Sequence, residues 1–305
     1  MAKGYIKLKI KALFLLYKLK LSMSNILDGK AVSQKILDGL KERAIKLKPC
    51  LSVILIGNNP ASAVYVRNKE KACEKCGIEY KEFKFDESVS EKEILQTIEK
   101  INNDDSIHGL IVQVPVPDHI SVPKILKNIN PKKDVDGFTA YNIGKMVSSP
   151  DFEDLPPATP GGIIRLLEEY KIDVKGMNVV VLGRSNIVGK PIATMLTNRS
   201  ATVTICHSKT KDISFYTKNA DLIIVAIGIP KFLKEDMVSS GVIVIDVGIN
   251  RLEDGSLCGD VDFENIKDKC SYITPVPGGV GPMTIAQLMI NVIRASEQST
   301  MSNNE

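Results

Sequence analysis

The sequence predicts an α/β fold with two domains and parallel sheets, on the strength of three observations. Short apolar runs alternate along the chain with longer segments of helical periodicity, as in parallel sheets that are covered by helices. A Ser- and Pro-rich segment at residues 148–160 interrupts that alternation near the middle of the chain. The length of 305 residues is sufficient for two ordinary domains with sizeable cores.

The individual elements follow from the type of hydrophobic pattern. Runs of mostly continuous apolar residues are typical of parallel strands that are buried on both faces. The predicted strands are 51–57, 109–114, 178–183, 202–206, 221–228 and 241–248. Segments of longer period between them are predicted helices, at 31–47, 60–76, 90–103, 162–170, 190–199 and 282–296.

Composition and charge narrow the functional classes. Apolar residues make up 44% and charged residues 25%, as in ordinary globular proteins. No run approaches the ~18 apolar residues of a transmembrane helix. The net charge of +4 comes from residues 1–24, which carry six lysines and no acidic residue. The rest of the chain has 34 basic and 36 acidic residues, which argues against a nucleic-acid surface.

The basic leader at residues 1–24 fits no standard targeting signal. Its apolar stretch is shorter than that of a secretory signal, and it is rich in Lys rather than in the Arg and Ser of mitochondrial presequences. We therefore expect a disordered extension ahead of a domain that begins near Met23. The expected location is the cytoplasm, with a mitochondrion or another organelle as the alternative.

Cysteine and histidine are too scattered to predict a metal site. Cys73 and Cys76 form one CxxC, but no second pair of ligands follows, and the chain has three histidines. We expect reduced thiols and no bound metal.

Residues 178–191 predict a dinucleotide site. A glycine-rich turn with Gly183 and Gly189 lies between an apolar strand and a helix, where free N–H groups can face a pyrophosphate, although a plain strand–helix turn has the same pattern. The next strand ends without the carboxylate that grips the ribose of NAD. Arg184, Ser208 and Lys209 suit a 2′-phosphate instead, so NADP is favoured over NAD.

Tyr65 and Lys69 are four residues apart and therefore share one face of a predicted helix. The pair is either a solvated surface or a catalytic arrangement in which a phenol orients an amine. A Tyr-x-x-x-Lys pair also occurs in short-chain dehydrogenases, but there it follows the glycine-rich turn. Here the pair comes more than 100 residues before that turn, which excludes this interpretation.

Five segments in order resemble one enzyme family over nearly the whole chain. They read NNPASAVYVRNKEKACEKCGI, GLIVQVPVP, KKDVDGF, GRSNIVGKP and TPVPGGVGPMT. With them the chain resembles the bifunctional methylenetetrahydrofolate dehydrogenase/methenyltetrahydrofolate cyclohydrolases. The resemblance implies oxidation of 5,10-methylenetetrahydrofolate by NADP and hydrolysis of the methenyl product to 10-formyltetrahydrofolate. A binding protein without turnover and a dehydrogenase without cyclohydrolase activity are the alternatives.

The resemblance also implies roles for individual residues. Lys69 would activate water, in a cleft that brings its pKa towards neutrality, while Gln113 positions it and Tyr65 packs on the folate. Asp136 would pair with the pterin ring. By residue type alone, Gln113 also fits a polar position in an edge strand and Tyr65 a core position. Asp136 also fits an ordinary Asp-Gly turn. Further implied substrate contacts are Pro277, Gly278 and Gly279; implied cofactor contacts are Gly183, Arg184, Ser185, Val188, Gly189, His207, Ser208 and Ile249.

The implied organisation places the active site between two domains of a homodimeric enzyme. Residues 25–150 with the helix 282–296 would form the folate-binding catalytic domain, and residues 151–281 the Rossmann-like NADP-binding domain. Residues 1–24 and 297–305 would be an extension and a tail. The chain departs from the family pattern at Thr139, Ala140, Ala158 and Gly161, where His, Pro, Cys and a basic residue are usual.

Overall fold

The structure is a computed structural model that describes residues 25–302. It contains two compact units, each made of several chain segments. Of the described residues, the six-stranded unit comprises 25–28, Val174–Ser185 and Ser200–Val280. The three-stranded unit comprises Gly29–Asp173, Asn186–Arg199 and residues 281–302.

The strands of the described residues are numbered in chain order. They are β1 Asn25–Ile26, β2 Cys50–Ile56, β3 Glu79–Phe85, β4 Gly109–Val112, β5 Asn178–Leu182, β6 Thr202–Cys206, β7 Leu222–Val225, β8 Ile243–Asp246, β9 Asn250–Arg251, β10 Leu257–Cys258 and β11 Tyr272–Ile273. The α-helices are Gly29–Leu47, Pro60–Cys76, Glu91–Asn102, Val122–Asn128, Ala140–Ser148, Ala158–Glu169, Gly189–Asn198, Ile213–Thr217, Phe263–Ile266 and Val280–Ser302.

The three-stranded sheet is parallel, with the order β3-β2-β4. Every residue of the central strand β2 is buried. Because side chains alternate along a strand, β2 contributes to two cores. Leu51, Val53 and Leu55 pack with the helices Pro60–Cys76 and Val280–Ser302. Ile54 and Ile56 pack on the other face, with residues of the helices Glu91–Asn102 and Val122–Asn128.

The six-stranded sheet is also parallel, with the order β1-β11-β8-β7-β5-β6. Its strands β7 and β8 are buried throughout, as their continuous apolar sequences predict. The carboxyl ends of all six strands lie along one edge of the sheet, because the strands are parallel. The strands β9 and β10 form a separate antiparallel hairpin.

The predicted α/β fold with parallel sheets is confirmed, and each of the six predicted strands and six predicted helices corresponds to an observed one. The predicted domain boundaries stay predictions, and the leader at residues 1–24 lies outside the described residues. None of the helices within residues 25–302 is both long and apolar enough to cross a membrane. In the same range, no group of His, Cys, Asp and Glu side chains is arranged to hold a metal ion.

Candidate active site

The helix Pro60–Cys76 carries Lys69 on its buried face. Asn59 caps the start of the helix, since its side-chain oxygen accepts a hydrogen bond from the Ser62 N–H at 3.1 Å. The buried positions recur at the spacing of one helix face: Ser62, Val66, Lys69, Cys73 and Cys76. Lys69 therefore occupies a position where the pattern places an apolar residue, and it is only 8% exposed. A buried amine in such a place indicates a functional role.

The Lys69 amine is held by Gln113, which directly follows β4. Lys69 Nζ donates to Gln113 Oε1 at 3.0 Å, and Gln113 Nε2 donates to the Val114 carbonyl at 2.8 Å. The Gln113 backbone N–H donates to the Ile54 carbonyl of β2, which fixes the residue at the sheet edge. Tyr65, one turn before Lys69, is 42% exposed, and burial of its ring raises the pKa of the phenol. The phenol therefore stays protonated at neutral pH.

The segment DVDG, residues 134–137, contains two aspartates with different tasks. Asp134 is buried and ties the turn together, because its carboxylate accepts hydrogen bonds from the backbone N–H groups of Gly137, Phe138 and Thr139 and from the Asn142 amide. Among the described residues, no donor is hydrogen-bonded to the Asp136 carboxylate. Burial raises the pKa of Asp136; the nearby Lys69 ammonium acts against this shift, and Asp134 adds to it.

A cavity of about 450 Å³ opens at the carboxyl edge of the three-stranded sheet. Residues 56–59, residues 115–118 and Glu87 line it; they lie at the end of β2 and in the loops after β2, β4 and β3. Gln113 leads into this lining from β4. The volume is in the range of small-molecule sites, and the edge is where parallel sheets bind ligands.

The carboxyl edge of the six-stranded sheet fits a dinucleotide. Gly183 follows β5 with a φ of +117°, and a Cβ there would lie 2.2 Å from the Ala226 carbonyl oxygen. Only glycine is tolerated in that conformation and space. β5 has β7 on one side and β6 on the other, so the loops after these strands meet at a topological switch point. The chain then begins the helix Gly189–Asn198, whose first residue is another predicted contact.

The residues predicted to hold the adenosine end follow β5 and β6. Arg184 and Ser208 are exposed, and Ser185 is exposed beside Arg184. His207 stabilises the turn after β6. Its Nδ1 accepts a hydrogen bond from the Lys209 N–H at 3.1 Å, and its backbone N–H donates to Thr210 Oγ1. Val188 is half-buried, immediately before the helix.

The remaining predicted contacts lie in loops of the six-stranded unit. Ile249 follows β8 and is 46% exposed. Gly278 has a φ of +110°. A Cβ at Gly279 would lie 2.6 Å from the Pro275 carbonyl oxygen, so this loop requires glycine at position 279. Pro277 precedes both glycines, and the following helix begins at Val280.

Sequence reasoning missed two buried aspartates that shape the loops after β7 and β8. Asp260 accepts hydrogen bonds from the N–H groups of Ile227 and Gly228 and from the Asn250 amide, next to Ile249. Asp246 accepts from Gly248, Asp260 and Val261. Burial raises the pKa of Asp246 to about 6. The only signal in the sequence is an Asp that ends an apolar strand.

Two departures from the family pattern have structural explanations. Thr139 caps the helix Ala140–Ser148, since its hydroxyl accepts from the Asn142 N–H at 3.4 Å. Ala158 is buried in the core of the three-stranded unit. Neither residue is hydrogen-bonded to Lys69 or to Gln113.

Known proteins match the chain over most of its length. Residues 27–136 match the family described as tetrahydrofolate dehydrogenase/cyclohydrolase, catalytic domain, and residues 157–300 match the NAD(P)-binding domain of the same family. A relative from Campylobacter concisus, called bifunctional protein FolD, is 55% identical over 91% of this chain and 99% of its own.

Solved structures also match the chain over most of its length. The crystal structure of the bifunctional FolD enzyme from Campylobacter jejuni is 51% identical and has a TM-score of 0.87, covering 90% of this chain and 99% of that one. The Trypanosoma brucei dehydrogenase-cyclohydrolase, complexed with NADP cofactor and inhibitor, is 33% identical with a TM-score of 0.87, covering 91% and 98%. The chain therefore belongs to the tetrahydrofolate dehydrogenase/cyclohydrolase family.

Proposed function

We propose that Lys69, Gln113, Tyr65 and Asp136 carry the folate chemistry of this chain and that NADP is its preferred hydride acceptor. As a family member the chain is a bifunctional enzyme, a methylenetetrahydrofolate dehydrogenase and a methenyltetrahydrofolate cyclohydrolase. The observation that supports the residue roles best is the buried Lys69 amine, hydrogen-bonded to Gln113 at 3.0 Å on the inner face of its helix.

Asp136 and Tyr65 orient the folate in both reactions. The Asp136 carboxylate lacks a hydrogen-bond donor among the described residues, so it can accept a pair of hydrogen bonds from the pterin N–H and amino groups. The half-exposed Tyr65 ring offers an apolar face to the substrate and a protonated phenol at its rim. Bound NADP supplies the acceptor for the hydride that leaves the methylene carbon.

Lys69 handles protons in the hydrolytic reaction. Water adds to the methenyl carbon, and Lys69 Nζ in its deprotonated form takes a proton from that water. The resulting ammonium donates a proton to N5 as the carbon–N5 bond breaks, which leaves the formyl group on N10. The hydroxyl group on the same carbon loses its proton to solvent as the formyl C=O bond forms, so one proton is released overall. Gln113 orients the amine, since its Oε1 accepts one of the amine hydrogens and leaves the nitrogen lone pair directed elsewhere.

NADP preference is supported by side chains at the carboxyl edge of the six-stranded sheet. The turn after β6 carries Ser208 and Lys209 and has no carboxylate, and Arg184 follows β5, the strand next to β6. A guanidinium and a hydroxyl can bind a 2′-phosphate, whereas NAD-binding domains place an acid there. Gly183 provides the close backbone approach that a pyrophosphate needs.

A spectrophotometric assay with 5,10-methylenetetrahydrofolate tests the proposal. Reduced cofactor and methenyl absorbance are followed separately, with NADP and with NAD. We expect faster reduction with NADP and little lasting methenyl signal. Accumulation of methenyl product would indicate a dehydrogenase alone and contradict the Lys69 role. Absence of reduction with either cofactor, in folded protein, would favour a binding protein.

Three further proposals rest on the family. We propose a cytoplasmic homodimer, in which residues 25–150 with the helix region 282–296 bind folate and residues 151–281 bind NADP. The bacterial relatives support the location, and the two family domains matched at residues 27–136 and 157–300 support a division near residue 150. The homodimer is proposed from the family resemblance alone. Light scattering of the purified chain tests the dimer, and a molecular mass of one chain would contradict it.

A further inference from the structure

Asn291, in the middle of the helix Val280–Ser302, is buried, and both the NH₂ group and the oxygen of its side chain are hydrogen-bonded. Its Nδ2 donates to the Val135 carbonyl at 2.8 Å and to the Pro156 carbonyl at 2.9 Å, and its Oδ1 accepts from Gln287 Nε2 at 2.8 Å. Only the NH₂ group of an Asn side chain can donate hydrogen bonds to two carbonyl oxygens, so the orientation of the Asn291 amide is fixed. Val135 directly precedes Asp136.

The two carbonyl groups that Asn291 binds belong to segments packed against each other. Gly137, just after Asp136, has a φ of +72°, and a Cβ there would lie 2.6 Å from the Leu155 oxygen and from Pro156. Asn291 thus joins the turn that carries Asp136 to residues 155–157. Asp134 secures the other side of the same turn.

Gln287 connects Asn291 to the unusual residue at position 161. A Cβ at Gly161 would lie 2.9 Å from both Cγ and Cδ of Gln287, so Gln287 occupies its place only because residue 161 has no side chain. One helical turn later, Arg165 Nε donates to Gln287 Oε1 at 2.5 Å. The family usually has a basic residue at position 161. Here the guanidinium lies four residues further along the same face of the helix Ala158–Glu169.

We propose that Asn291 is a positioning residue for Asp136, and that Gly161, Gln287 and Arg165 form a matched set that holds Asn291 in place. The inference rests on the proposed role of Asp136 in folate binding. The Asp136 carboxylate has no hydrogen-bond donor of its own among the described residues, so its direction is set by the backbone of residues 135–137. Asn291 is the side chain that fixes the first of these carbonyl groups.

The first test is a double-mutant cycle on folate binding. We expect Asn291→Ala to raise KM for 5,10-methylenetetrahydrofolate about tenfold, with a smaller change in kcat and an unchanged KM for NADP, because Asp136 binds ground and transition states alike. In an Asp136→Ala background the same change should have little further effect. Equilibrium titration with tetrahydrofolate under argon provides the same comparison without turnover. The matched control is Asn102→Ala, since Asn102 also donates to a backbone carbonyl, that of Asn128.

The outcomes separate the inference from the proposed function. If Asp136→Ala leaves folate binding unchanged, the role of Asp136 is wrong and the inference falls with it. If Asp136→Ala weakens binding but Asn291→Ala has no effect, or has an independent additive effect, only the inference is wrong.

A second variant applies if Asn291→Ala does not fold. Gly161→Ala adds one methyl group that Gln287 must avoid, and we expect a severalfold rise in KM for folate with an unchanged KM for NADP. Gly39→Ala is the matched control, because its helix position has no atom within 4 Å of the added Cβ. Equal KM values for folate in Gly161→Ala and Gly39→Ala would overturn the inference that Gly161, Gln287 and Arg165 hold Asn291 in place.

Discussion

Replacing Lys69 by Met should abolish the cyclohydrolase reaction and leave most of the dehydrogenase activity. Met has a similar length and fills the apolar position of Lys69 on its helix without leaving a cavity, but it has no amine. The change therefore removes the proposed proton transfer, while the proposed folate contacts of Tyr65 and Asp136 remain. Lys71→Met is the matched control, because Lys71 lies on the same helix with an exposed side chain.

The expected magnitude follows from the type of catalysis. Loss of a positioned general acid–base group costs roughly 10²–10⁴-fold in rate, or about 3–5 kcal/mol of transition-state stabilisation. Hydride transfer to the cofactor needs no proton from Lys69, so the dehydrogenase should lose much less. The buried Gln113 Oε1 also loses its donor, at a cost of about 1–3 kcal/mol in stability, so the variant must first be shown to be folded.

Two absorbance measurements test this expectation. Decay of methenyltetrahydrofolate reports the cyclohydrolase, and reduced cofactor with accumulating methenyl product reports the dehydrogenase. In Lys69→Met, we expect methenyl product to accumulate during oxidation. Retention of cyclohydrolase activity within tenfold of the unmodified enzyme would refute the assigned role. An equal loss of both activities with weakened NADP binding would refute it as well.

Two further predictions concern the six-stranded unit. Arg184→Ala should raise KM for NADP about tenfold to a hundredfold and leave NAD little affected, because only NADP has the 2′-phosphate; steady-state kinetics with both cofactors measure this. Asp246→Asn should change the pH dependence of stability, measured by urea unfolding between pH 4 and 8. The folded-state pKa of about 6 exceeds the unfolded value of 3.8, so the stabilisation is complete below about pH 4 and is lost as pH rises through 6. The unmodified chain should therefore lose about 3 kcal/mol relative to the variant over this interval.

Each of these predictions has a clear contrary outcome. Lys218→Ala, an exposed change at the amino edge of the same sheet, is the control for Arg184 and should alter neither KM. Equal losses with NADP and NAD in Arg184→Ala would place the guanidinium elsewhere on the cofactor. Parallel stability curves for Asp246→Asn and the unmodified chain would show that the buried carboxyl does not titrate in this range.

Much of the fold could be predicted because the central strands of both sheets are buried on both faces. The runs VVVL in β5, LIIV in β7 and IVI in β8 are continuously apolar and match the predicted strands. The strand β3 was missed since its sequence EYKEFKF alternates charged and aromatic residues, as suits a strand at the edge of a sheet. β1 and β11 have two residues each, too few to form a pattern.

The candidate site was predicted only as far as local motifs extend. Tyr65 and Lys69 are four residues apart, and DVDG is a contiguous turn, so both are visible in the sequence. The contact between Asn291 and Val135 spans 156 residues, and no periodicity connects them. Likewise, residue type alone does not distinguish Asp134, which holds the turn, from Asp136, whose carboxylate has no hydrogen-bond donor among the described residues. Only the family resemblance indicated Asp136.

The interleaved segments of the two units restrict how this enzyme can be divided or recombined. The chain changes unit five times, after Asp28, Asp173, Ser185, Arg199 and Val280. A fragment that ends at Asp173 would lack Met289, Val292 and Ile293, which are completely buried against β2. Neither unit can therefore be obtained as one continuous fragment of the chain. An exchange of cofactor specificity between relatives would need the grafting of three separate segments or of individual side chains.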